Sequence, residues 1–498
     1  MPFVRPIVLH WVATCRSCLE ESGKKMNVHS KTLFSETSYD RDDCQVGVVH
    51  VGFGAFHRAH QAVYIDDFMD ASGDLRWGIA SVNLRSADTP AFQTAVEDIA
   101  RHDGYFLKSH SSAGDTELRR VRSHIHFSDW SSAPDEAEAL LSLPSVHLVT
   151  ITVTESGYYT DSVGALNLED EIIAAEIAGQ TKASIYSYLR DGLQCRMTDG
   201  GAPITIACCD NIRQNGHMLQ RNLLAYLDAC GAVDLRDWVA QNAAFPCSMV
   251  DRITPRSPAE LCTELTERVG GTVASPIMSE DFTQWVLQDS AAADIPDLAR
   301  VGVTVVNDVD PYEETKIRVL NGGHTALAYM AALEGIETFD AAMRMPALRE
   351  HFYAFETQEV LPAITTDLPF SKVQYMELVE QRFTNRAIGD TVARICADGM
   401  VKFPIFIMPT ITGCLRQGVL PTHAIRSIAS WHQFACHVAA GNIPFTYVEP
   451  SWAQLKPMLG SDDFVTSHLL WGEIPEQYPI FCQTLRQELA ETEIKWPV

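Results

Sequence analysis

A strand that runs directly into two glycines constrains the fold of this chain more than any other feature. Val46–Val51 is a β-branched run, followed by Gly52-Phe53-Gly54 and then by a helix-like segment over residues 55–69. A strand, a tight glycine turn and a helix in this order are typical of a dinucleotide-binding unit, in which the backbone approaches a pyrophosphate at the helix N-terminus. His57 stands where the usual pattern has a third glycine, so a turn that binds no nucleotide stays open as the alternative.

The alternation of strand and helix patterns continues along the chain. Further strands are predicted over residues 77–84, 146–154 and 204–208, with helices at residues 89–100, 136–141 and 181–191 and a β-rich stretch at 105–127. This alternation predicts a mostly parallel sheet covered by helices on both faces.

From about residue 240 onward, helical patterns dominate the sequence. They cover residues 317–333, 341–358, 372–382 and 423–440, with one short β-like run at 301–307. The predicted fold class is therefore α/β. A Rossmann-type, mostly parallel sheet domain at residues 45–240 would bind the dinucleotide, and a mostly α-helical domain at residues 241–498 would bind substrate and carry the catalytic groups.

Residues 1–44 are interpreted as a leader outside the fold, either disordered or preceding a true start at Met26, because the first clear strand begins near Gln45. The apolar stretch at residues 3–15 leaves a signal peptide or an organelle presequence open, although Glu20 and Glu21 weaken the presequence.

Charge and cysteine content exclude several classes of protein. The formal net charge of the 498 residues is −26, from 64 acidic and 38 basic side chains. This argues against a nucleic-acid or membrane partner, because phosphate contacts need clustered Lys and Arg. No apolar run approaches the roughly 20 residues of a membrane span. The 13 cysteines are dispersed, and Cys15 with Cys18 lacks a second pair to complete a zinc site. We therefore predict a cytoplasmic protein without a metal.

The stretch from Pro311 to His324 carries three polar side chains that suit proton transfer. On a helix turning roughly 100° per residue, Asn321 lies about 140° and His324 about 80° from Lys316, so the three project from one side. A lysine near an apolar run can lose its proton and act as a base, while an amide and an imidazole hold an oxygen atom. This set suits deprotonation of an alcohol. A helix with scattered polar residues is the alternative that the spacing leaves open.

The end of the second predicted strand bears on the choice of cofactor. An acidic residue for the ribose hydroxyls is expected there, and Asp88 lies a few residues late. Arg85 with Ser86 would instead hold a 2′-phosphate, so NAD and NADP both stay open. Arg85 and Asp88 are equally consistent with ordinary surface residues.

Six stretches of the sequence together carry a resemblance to a known family. The first is Val51-Gly52-Phe53-Gly54-Ala55-Phe56-His57-Arg58-Ala59-His60-Gln61, and the others lie at residues 152–158, 209–211, 249–255, 316–324 and 382–402. In this order they resemble the polyol-specific long-chain dehydrogenases, a family that includes mannitol, arabinitol and fructuronate enzymes. The resemblance covers about residues 45–450.

The resemblance implies a metal-independent, NAD(P)-dependent alcohol dehydrogenase. It assigns the general base to Lys316 and the two amides that hold the substrate oxygen to Asn211 and Asn321. Contacts to substrate hydroxyls carry over to Asp251, His324, Arg394 and Lys402, for whose charged members an inter-domain salt bridge is the alternative role. Cofactor contacts carry over to Gly52, Phe53, Gly54, Ala55, Phe56, Thr154 and Glu155, and Arg85 and Asp88 join this predicted set from their place at the end of the second strand.

We therefore predict interconversion of a sugar alcohol and its ketose, with NAD as the cofactor and NADP as the alternative. D-Arabinitol to D-xylulose is the first choice, because residues 76–80, 157–159 and 252–256 resemble D-arabinitol 4-dehydrogenases. D-Mannitol to D-fructose is second. Fructuronate is third, because Ser156 replaces the lysine expected near a carboxylate.

Other classes of protein stay open beside this one. The partner predicted is a small-molecule polyol or ketose, and the protein is expected to be a monomer or weak oligomer. A nucleotide-binding regulatory protein with the same fold is the non-enzyme alternative, and the intact Lys316, Asn211 and Asn321 argue against it. A zinc-dependent dehydrogenase is disfavoured, since no plausible ligand set is visible.

Overall fold

The computed structural model of this chain describes residues 32–161 and 164–491. Its strands are β1 (Thr32–Glu36), β2 (Val46–Val51), β3 (Gly78–Asn83), β4 (Tyr105–His110), β5 (Thr116–Val121), β6 (His124–Asp129), β7 (Leu148–Ile151), β8 (Ile204–Cys208), β9 (Ala243–Ala244), β10 (Ser248–Asp251), β11 (Ile277–Glu280), β12 (Gln284–Gln288) and β13 (Thr304–Val306).

The α-helices of the described residues are α1 (Ala55–Ala59), α2 (Gln61–Ser72), α3 (Thr89–His102), α4 (Pro134–Ala139), α5 (Glu171–Ile177), α6 (Ile185–Thr198), α7 (Asn215–Ala229), α8 (Val233–Asn242), α9 (Ala259–Val269), α10 (Asp310–Thr315), α11 (Gly322–Leu333), α12 (Phe339–Arg344), α13 (Pro346–Ala354), α14 (Leu361–Ala363), α15 (Lys372–Phe383), α16 (Val392–Ile395), α17 (Gly399–Lys402), α18 (Met408–Arg416), α19 (Thr422–Ala439), α20 (Trp452–Met458), α21 (His468–Trp471), α22 (Ile474–Gln477) and α23 (Pro479–Glu491). The segments Lys316–Asn321, Phe355–Val360 and Phe403–Ile407 are π-helices.

A six-stranded parallel sheet forms the centre of the N-terminal half, with the strand order β6-β3-β2-β7-β8-β9. The chain builds outward from β2 to β3 and β6, and then returns to the other side of β2 with β7. In open α/β sheets of this kind, ligands bind at the carboxyl ends of the strands where the order reverses. The predicted α/β fold with a Rossmann-type parallel sheet is confirmed, and the place of a ligand site follows from the topology.

Both faces of this sheet are buried. Val48 of β2 packs with Ile79 and Leu148 on one face, while Val49 and Val51 pack on the other. These side chains are inaccessible to solvent or nearly so. A parallel sheet covered on both faces needs a nearly continuous apolar run, and the valines of β2, with His50 as the one polar side chain among them, are why the sequence pattern located this strand correctly.

Residues 32–44 belong to the fold, whereas they were expected to be part of a leader. β1 pairs in parallel with β5 over five residues, and the sheet continues as β1-β5-β4-β11. The Tyr39 hydroxyl donates a 2.6 Å hydrogen bond to Asp66. These partners lie 27 to 84 residues farther along the chain, so local sequence patterns gave no sign of them. Residues 1–31, including Cys15 and Cys18, lie outside the described residues.

Strands also continue beyond residue 240, where the change to helices was expected. β9 extends the central sheet, β11 pairs with β4, and β10, β12 and β13 form a sheet of their own. After Val306 the described chain is helical. The short runs β10 to β12 have four or five residues each, too few for a periodicity to be recognised.

The helical part has its own apolar core. It is formed chiefly by α11 and α19, around fully buried side chains that include Tyr329, Phe403 and Trp431. The predicted helical C-terminal domain is confirmed. Within residues 32–161 and 164–491, no helix is both long and apolar enough to cross a membrane.

Candidate active site

Three loops of the candidate site follow neighbouring strands of the central sheet. Gly52 follows β2, Thr154 follows β7, and Asn211 follows β8. Because parallel strands end at the same edge of a sheet, the fold brings these loops together at the point where the strand order reverses. Lys316 reaches this edge from the helical part, and its Nζ contacts Asn211.

The two glycines of the turn after β2 have different physical roles. Gly52 has φ +98°, and a Cβ at this position would lie 1.9 Å from the Thr152 carbonyl oxygen. A side chain is therefore excluded at Gly52 by both conformation and space. A Cβ at Gly54 would meet nothing within 4 Å, which leaves an open surface in front of the turn. This open backbone surface fits the close approach of a dinucleotide phosphate.

His57 takes the place of the third glycine by packing beneath the turn. Its ring stacks on His50 at a centroid distance of 3.2 Å. The Nε2 of His50 lies 2.8 Å from the carbonyl oxygen of Gly52, to which it donates. Burial lowers the pKa of His50 to about 3 and that of His57 well below its ordinary value. Both rings are neutral supports of the turn.

The helix after the turn is shorter than predicted. α1 ends at Ala59, and His60 has φ −123° and ψ −92°, so the helix-like segment predicted over residues 55–69 consists of two helices, α1 and α2, that meet at His60. The His60 Nε2 lies 2.8 Å from the carbonyl oxygen of Gln284. This contact across 224 residues breaks the helix at a position where its local sequence gives no stop signal. The predicted cofactor residues Phe53, Ala55 and Phe56 are partly buried, and the ring of Phe53 packs edge-on against Phe92.

Arg85 and Asp88 lie at the outer edge of this region. Their side chains are 70% and 46% exposed, and the Arg85 Nε donates a 2.7 Å hydrogen bond to the Asp88 carboxylate. The pair is solvated, so it contributes little to stability. It leaves both a guanidinium and a carboxylate at the end of β3, which is where a cofactor ribose is expected.

The loop after β7 contains the most unusual backbone conformation of the site. Thr154 has φ +66° and ψ +160°, a region that costs residues other than glycine about 1–3 kcal/mol. The N–H groups of Val153 and Thr154 both donate to the Asp210 carboxylate, at 2.9 and 3.1 Å. Glu155 is exposed, and its charge acts on the pKa of Lys316. Of the two predicted cofactor residues, Glu155 thus lies close enough to Lys316 for its charge to act on it, while the backbone of Thr154 is held by Asp210.

Lys316 is buried at the meeting point of the sheet and the helical part. Its Nζ donates to the Asn211 Oδ1, and to the Val250 carbonyl oxygen at 2.9 Å. Burial lowers the pKa of Lys316 below its ordinary value, while Asp251 acts in the opposite direction. An uncharged amine has two N–H groups and one lone pair. With both N–H groups held by these acceptors, the lone pair is left free to accept a proton.

Lys316 and Asn321 are the two ends of a π-helix, so the assumption of an α-helix at 100° per residue is wrong for this segment. In a π-helix the hydrogen bonds join residues i and i+5, which stacks residue 321 above residue 316. The two side chains are therefore closer in direction than the predicted 140°. Asn321 is half-buried, and in the described part of the chain its amide makes no side-chain hydrogen bond. The π turn favours joint action of the two groups.

His324 lies one turn further, inside an aromatic enclosure. Its ring stacks on Phe383 at 4.0 Å and meets Phe339 edge-on at 4.5 Å. Burial lowers its pKa well below the ordinary value, and the nearby Arg394, Arg382 and Lys402 lower it further. His324 is therefore a neutral imidazole with three cationic neighbours, of which Arg394 and Lys402 are the two predicted to contact substrate.

The two cations are themselves held by the helical part. The Arg394 Nε donates a 2.6 Å hydrogen bond to Asp390, and its side chain is 57% exposed. The Lys402 Nζ donates to the Ile395 carbonyl oxygen at 2.8 Å. Burial lowers the pKa of Lys402. In the described residues, neither Arg394 nor Lys402 forms a salt bridge with the N-terminal half of the chain. Both side chains therefore retain N–H groups that can donate to a ligand.

Asp251 forms a salt bridge, the kind of role that was left open as its alternative, between the end of β10 and Arg382 of the helical part. The Arg382 guanidinium donates to both carboxylate oxygens, at 2.6 and 2.8 Å, and also to Glu280 at 2.7 and 3.0 Å. These three side chains are at most 5% exposed. Burial would raise the pKa of Asp251, but Arg382 lowers it below its ordinary value. Asp251 is thus an ionised group fixed near Lys316, and its contact with substrate stays a prediction.

Arg382 had no role in the sequence-based prediction, although the signal was present. The buried face of α15 comprises Tyr375, Met376, Val379, Arg382 and Phe383. An arginine at an apolar position of a helical stripe requires a buried carboxylate partner, because an unpaired charge is too costly there. Arg382 and Glu280 also line a cavity of about 350 Å³. Asp251 and Lys316 are not among its lining residues.

Glu313 lies one helical turn before Lys316 and is also buried. Its carboxylate accepts from the backbone N–H of Gln214 at 3.2 Å. Burial raises the pKa of Glu313 to about 7. Within the ranges 32–161 and 164–491, no group of three or more His, Cys, Asp or Glu side chains is arranged to hold a metal ion.

Comparisons with known proteins cover most of the chain. Residues 46–299 match the family model described as the mannitol dehydrogenase Rossmann domain, and residues 308–474 match the mannitol dehydrogenase C-terminal domain. The chain is 34% identical over 421 residues to a mannitol 2-dehydrogenase of Cereibacter sphaeroides, covering 84% of this chain and 87% of that protein. It is also 34% identical over 403 residues to a D-arabinitol 4-dehydrogenase of Klebsiella pneumoniae, covering 80% and 86%.

A solved structure matches the fold over nearly its full length. It is the ternary complex of Pseudomonas fluorescens mannitol 2-dehydrogenase with NAD and D-mannitol. The TM-score is 0.83 at 30% sequence identity, and the match covers 92% of this chain and 94% of that one.

Proposed function

Since the chain belongs to the mannitol dehydrogenase family, we propose that it interconverts a sugar alcohol and its ketose with Lys316 as general base, an NAD-type cofactor and no metal ion. The relatives and the matching structure are polyol dehydrogenases, so the chain is an oxidoreductase that acts on a polyol. The observation that carries the proposal for the chemistry is the pair of acceptors on Lys316. They hold a buried amine of lowered pKa beside Asn211.

The chemistry follows from the groups at the site. The lone pair of Lys316 takes the hydroxyl proton, so negative charge grows on the substrate oxygen. That charge would be used to form the carbonyl bond as the C–H hydrogen leaves as a hydride, for which a bound nicotinamide would be the acceptor. Because the Asn211 Oδ1 accepts from Lys316, its NH2 group is turned to other partners and can donate to that oxygen. Asn321 supplies a second amide from the π turn. Two preorganised donors stabilise a developing oxyanion in place of a metal ion.

Glu313 supports a route for the proton away from Lys316. Its pKa is raised to about 7 by burial, so near neutral pH it exists in both protonation states. We propose that it passes the proton from the lysine to solvent. The hydrogen bond from Gln214 fits a structural role equally well, and a Glu313→Gln variant with unchanged kcat and unchanged pH profile would leave only that role.

The open turn at Gly54 and the parallel sheet edge fit a dinucleotide, whose nicotinamide supplies the hydride acceptor when bound. Gly54→Ala is expected to fold normally, because a Cβ there meets nothing within 4 Å, but to bind NADH about 10-fold or more weakly, since the methyl group occupies the phosphate approach. Fluorescence titration with NADH measures this.

The matched control is the other glycine of the turn. Gly52→Ala should lower soluble yield and the thermal midpoint, because of its positive φ and the 1.9 Å approach to Thr152. Equal NADH affinity of Gly54→Ala and the unaltered protein would show that the phosphates lie elsewhere.

Arg85 gives a test of cofactor choice. We propose NAD as the preferred cofactor and NADP as the alternative, because Asp88 and Arg85 provide partners for a ribose diol and for a 2′-phosphate. Arg85→Ala is expected to lower kcat/KM for NADP by about 10-fold while that for NAD changes less than about twofold, since a phosphate loses its charge-assisted donor. Steady-state rates with each cofactor measure both values. Equal losses would remove Arg85 from the discrimination.

The substrate order proposed is D-arabinitol, then D-mannitol, then fructuronate. Relatives named for D-arabinitol and for mannitol are equally identical to this chain, at 34%, so the order rests on the sequence motifs and on Ser156. Initial rates with all three substrates and both cofactors decide the order.

Activity on fructuronate alone would overturn the order and favour a fructuronate reductase. Cofactor binding without any turnover would favour the regulatory protein, and activity that a chelator abolishes and zinc restores would refute the metal-free mechanism.

A further inference from the structure

The carboxylate of Asp210 binds three groups of the loop that follows β7. Its Oδ2 accepts from the Val153 N–H at 2.9 Å and from the Tyr158 hydroxyl at 2.7 Å, and its Oδ1 accepts from the Thr154 N–H at 3.1 Å. Two successive peptide N–H groups thus point at one side chain. This fixes the orientation of both peptide units.

Thr154 is the residue at which this loop is strained. Its φ of +66° and ψ of +160° lie in a region that is almost confined to glycine, and a β-branched side chain makes it still less favourable. Within the loop, the Gly157 N–H donates to the Thr154 carbonyl oxygen at 3.0 Å, and this bond fixes the peptide that follows Thr154. The N–H groups of Val153 and Thr154, on the preceding side, are held by Asp210.

The backbone of Asp210 anchors the neighbouring loop as well. Its carbonyl oxygen accepts from the Ile212 N–H at 2.8 Å and from the Asn215 Nδ2 at 3.1 Å. Asn211 lies inside this small turn, and its Oδ1 accepts from Lys316. A single residue therefore joins the carboxyl ends of β7 and β8, where Thr154 and Asn211 lie.

We propose that Asp210 is a positioning residue that keeps Thr154 in its strained conformation beside the cofactor and, through the same turn, keeps Asn211 in contact with Lys316. This inference rests on the proposed function, because one side chain would then fix both the loop beside the nicotinamide and the loop that carries Asn211 beside the general base. The Asp210 carboxylate is taken up by Val153, Thr154 and Tyr158, so Asp210 acts through its neighbours.

The surroundings of Asp210 suit this role. Burial raises its pKa to about 6, and Tyr158 lowers it, so the carboxylate is largely ionised near neutral pH and can accept all three bonds. The titratable groups that act on it are Tyr158, Cys208, Cys209 and Glu155. The Tyr158 ring is fully buried, which fixes the carboxylate against the rigid interior.

The first experiment replaces Asp210 with asparagine, which keeps the shape but loses an acceptor. Asp210→Asn is expected to bind NADH about 10–100-fold more weakly, as follows from loss of a hydrogen bond to a charged group. Amide hydrogen exchange of residues 151–158 should become faster in the cofactor-free protein. Asp199→Asn, at an exposed position just after α6, is the matched control and should change neither value.

The second experiment uses glycine to separate positioning from general stability. In Asp210→Asn/Thr154→Gly, NADH affinity should recover by at least roughly threefold over Asp210→Asn, because glycine adopts the positive φ without strain. A purely structural role of Asp210 gives no reason for such recovery. Unchanged NADH binding and unchanged exchange in Asp210→Asn, or no recovery in the double variant, would each overturn the proposal.

A third comparison does not depend on the folding of Asp210→Asn. Thr154→Gly is expected to have a higher thermal midpoint than Thr154→Ala, since glycine tolerates positive φ and alanine does not. At an ordinary loop position the alanine variant is the more stable of the two. A higher thermal midpoint for Thr154→Ala than for Thr154→Gly would therefore also overturn the proposal. NADH binding, exchange and melting need no polyol. A protein that binds NADH but oxidises no polyol therefore refutes the proposed function and leaves the role of Asp210 testable.

Discussion

Lys316→Ala is expected to lower kcat for polyol oxidation by about 10²–10⁴-fold, the range that a positioned general base contributes. NADH binding should stay within about twofold of the unaltered protein, because Lys316 contacts Asn211 and Val250 and not the glycine turn. Steady-state kinetics and fluorescence titration on the same preparation measure the two quantities. The reason for a large effect is chemical: alanine offers no lone pair, and Asn211 loses the partner that orients it.

The pH profile gives the same prediction a second readout. Burial lowers the pKa of Lys316 below its ordinary value, and only the neutral amine accepts a proton. Oxidation should therefore rise with pH through this lowered pKa, and the rise should be absent in the residual activity of Lys316→Ala. Lys456→Ala, at an exposed position in α20, serves as the matched control. More than a tenth of normal kcat in Lys316→Ala would remove the lysine from the role of base.

Arg382→Met is expected to destabilise the protein by about 3–5 kcal/mol, the usual cost of breaking a buried ion pair from one side. Asp251 and Glu280 would be left buried without a counter-ion. For a chain of 498 residues the thermal midpoint should fall by about 3–5 °C, as measured by calorimetry. Arg349→Met removes an exposed arginine that pairs with Glu380 and should change the midpoint little.

The loss in Arg382→Met should also depend on pH. Without the guanidinium, burial raises the folded-state pKa of both carboxyls above their unfolded values, so protonation relieves the penalty and the loss is smaller at pH 5 than at pH 8. Glu280→Gln added to Arg382→Met should restore part of the midpoint at pH 8, since it removes one uncompensated charge. A loss of stability that is the same at pH 5 and pH 8, or a fall in the thermal midpoint of less than about 2 °C, would show that the salt bridges of Arg382 contribute little to stability.

The parts of the fold that sequence reveals are those fixed by local pattern. β2 and the glycine turn were predictable because a strand buried on both faces needs a largely apolar, β-branched run and the positive φ of Gly52 needs glycine. β1 and the break at His60 were not, because their partners lie far along the chain, at β5 and Gln284. Long-range pairing leaves no periodic signal in the segment itself.

The candidate site divides in the same way. Lys316 was visible as a polar residue in an apolar helix, but its two acceptors, Asn211 and Val250, come from other segments. The roles of Asp210 and Arg382 depend wholly on such contacts between strands and helices. Only the position of Arg382 in an apolar stripe was open to prediction. The π turn was not, since nothing in the residues 316–321 distinguishes it from an α-helix.

That π turn has a consequence for which changes of chain length the protein tolerates. The other two π segments, Phe355–Val360 and Phe403–Ile407, pack against it, so its wider backbone is fixed from outside. Deleting one residue between Lys316 and Asn321 would turn the π turn into an α turn. The following helix would keep nearly the same direction, because five residues of a π-helix and four of an α-helix both complete about one turn. The narrower backbone would lose its fit against the two π segments packed on it, so we expect such a deletion to lower the thermal midpoint more than it reorients His324.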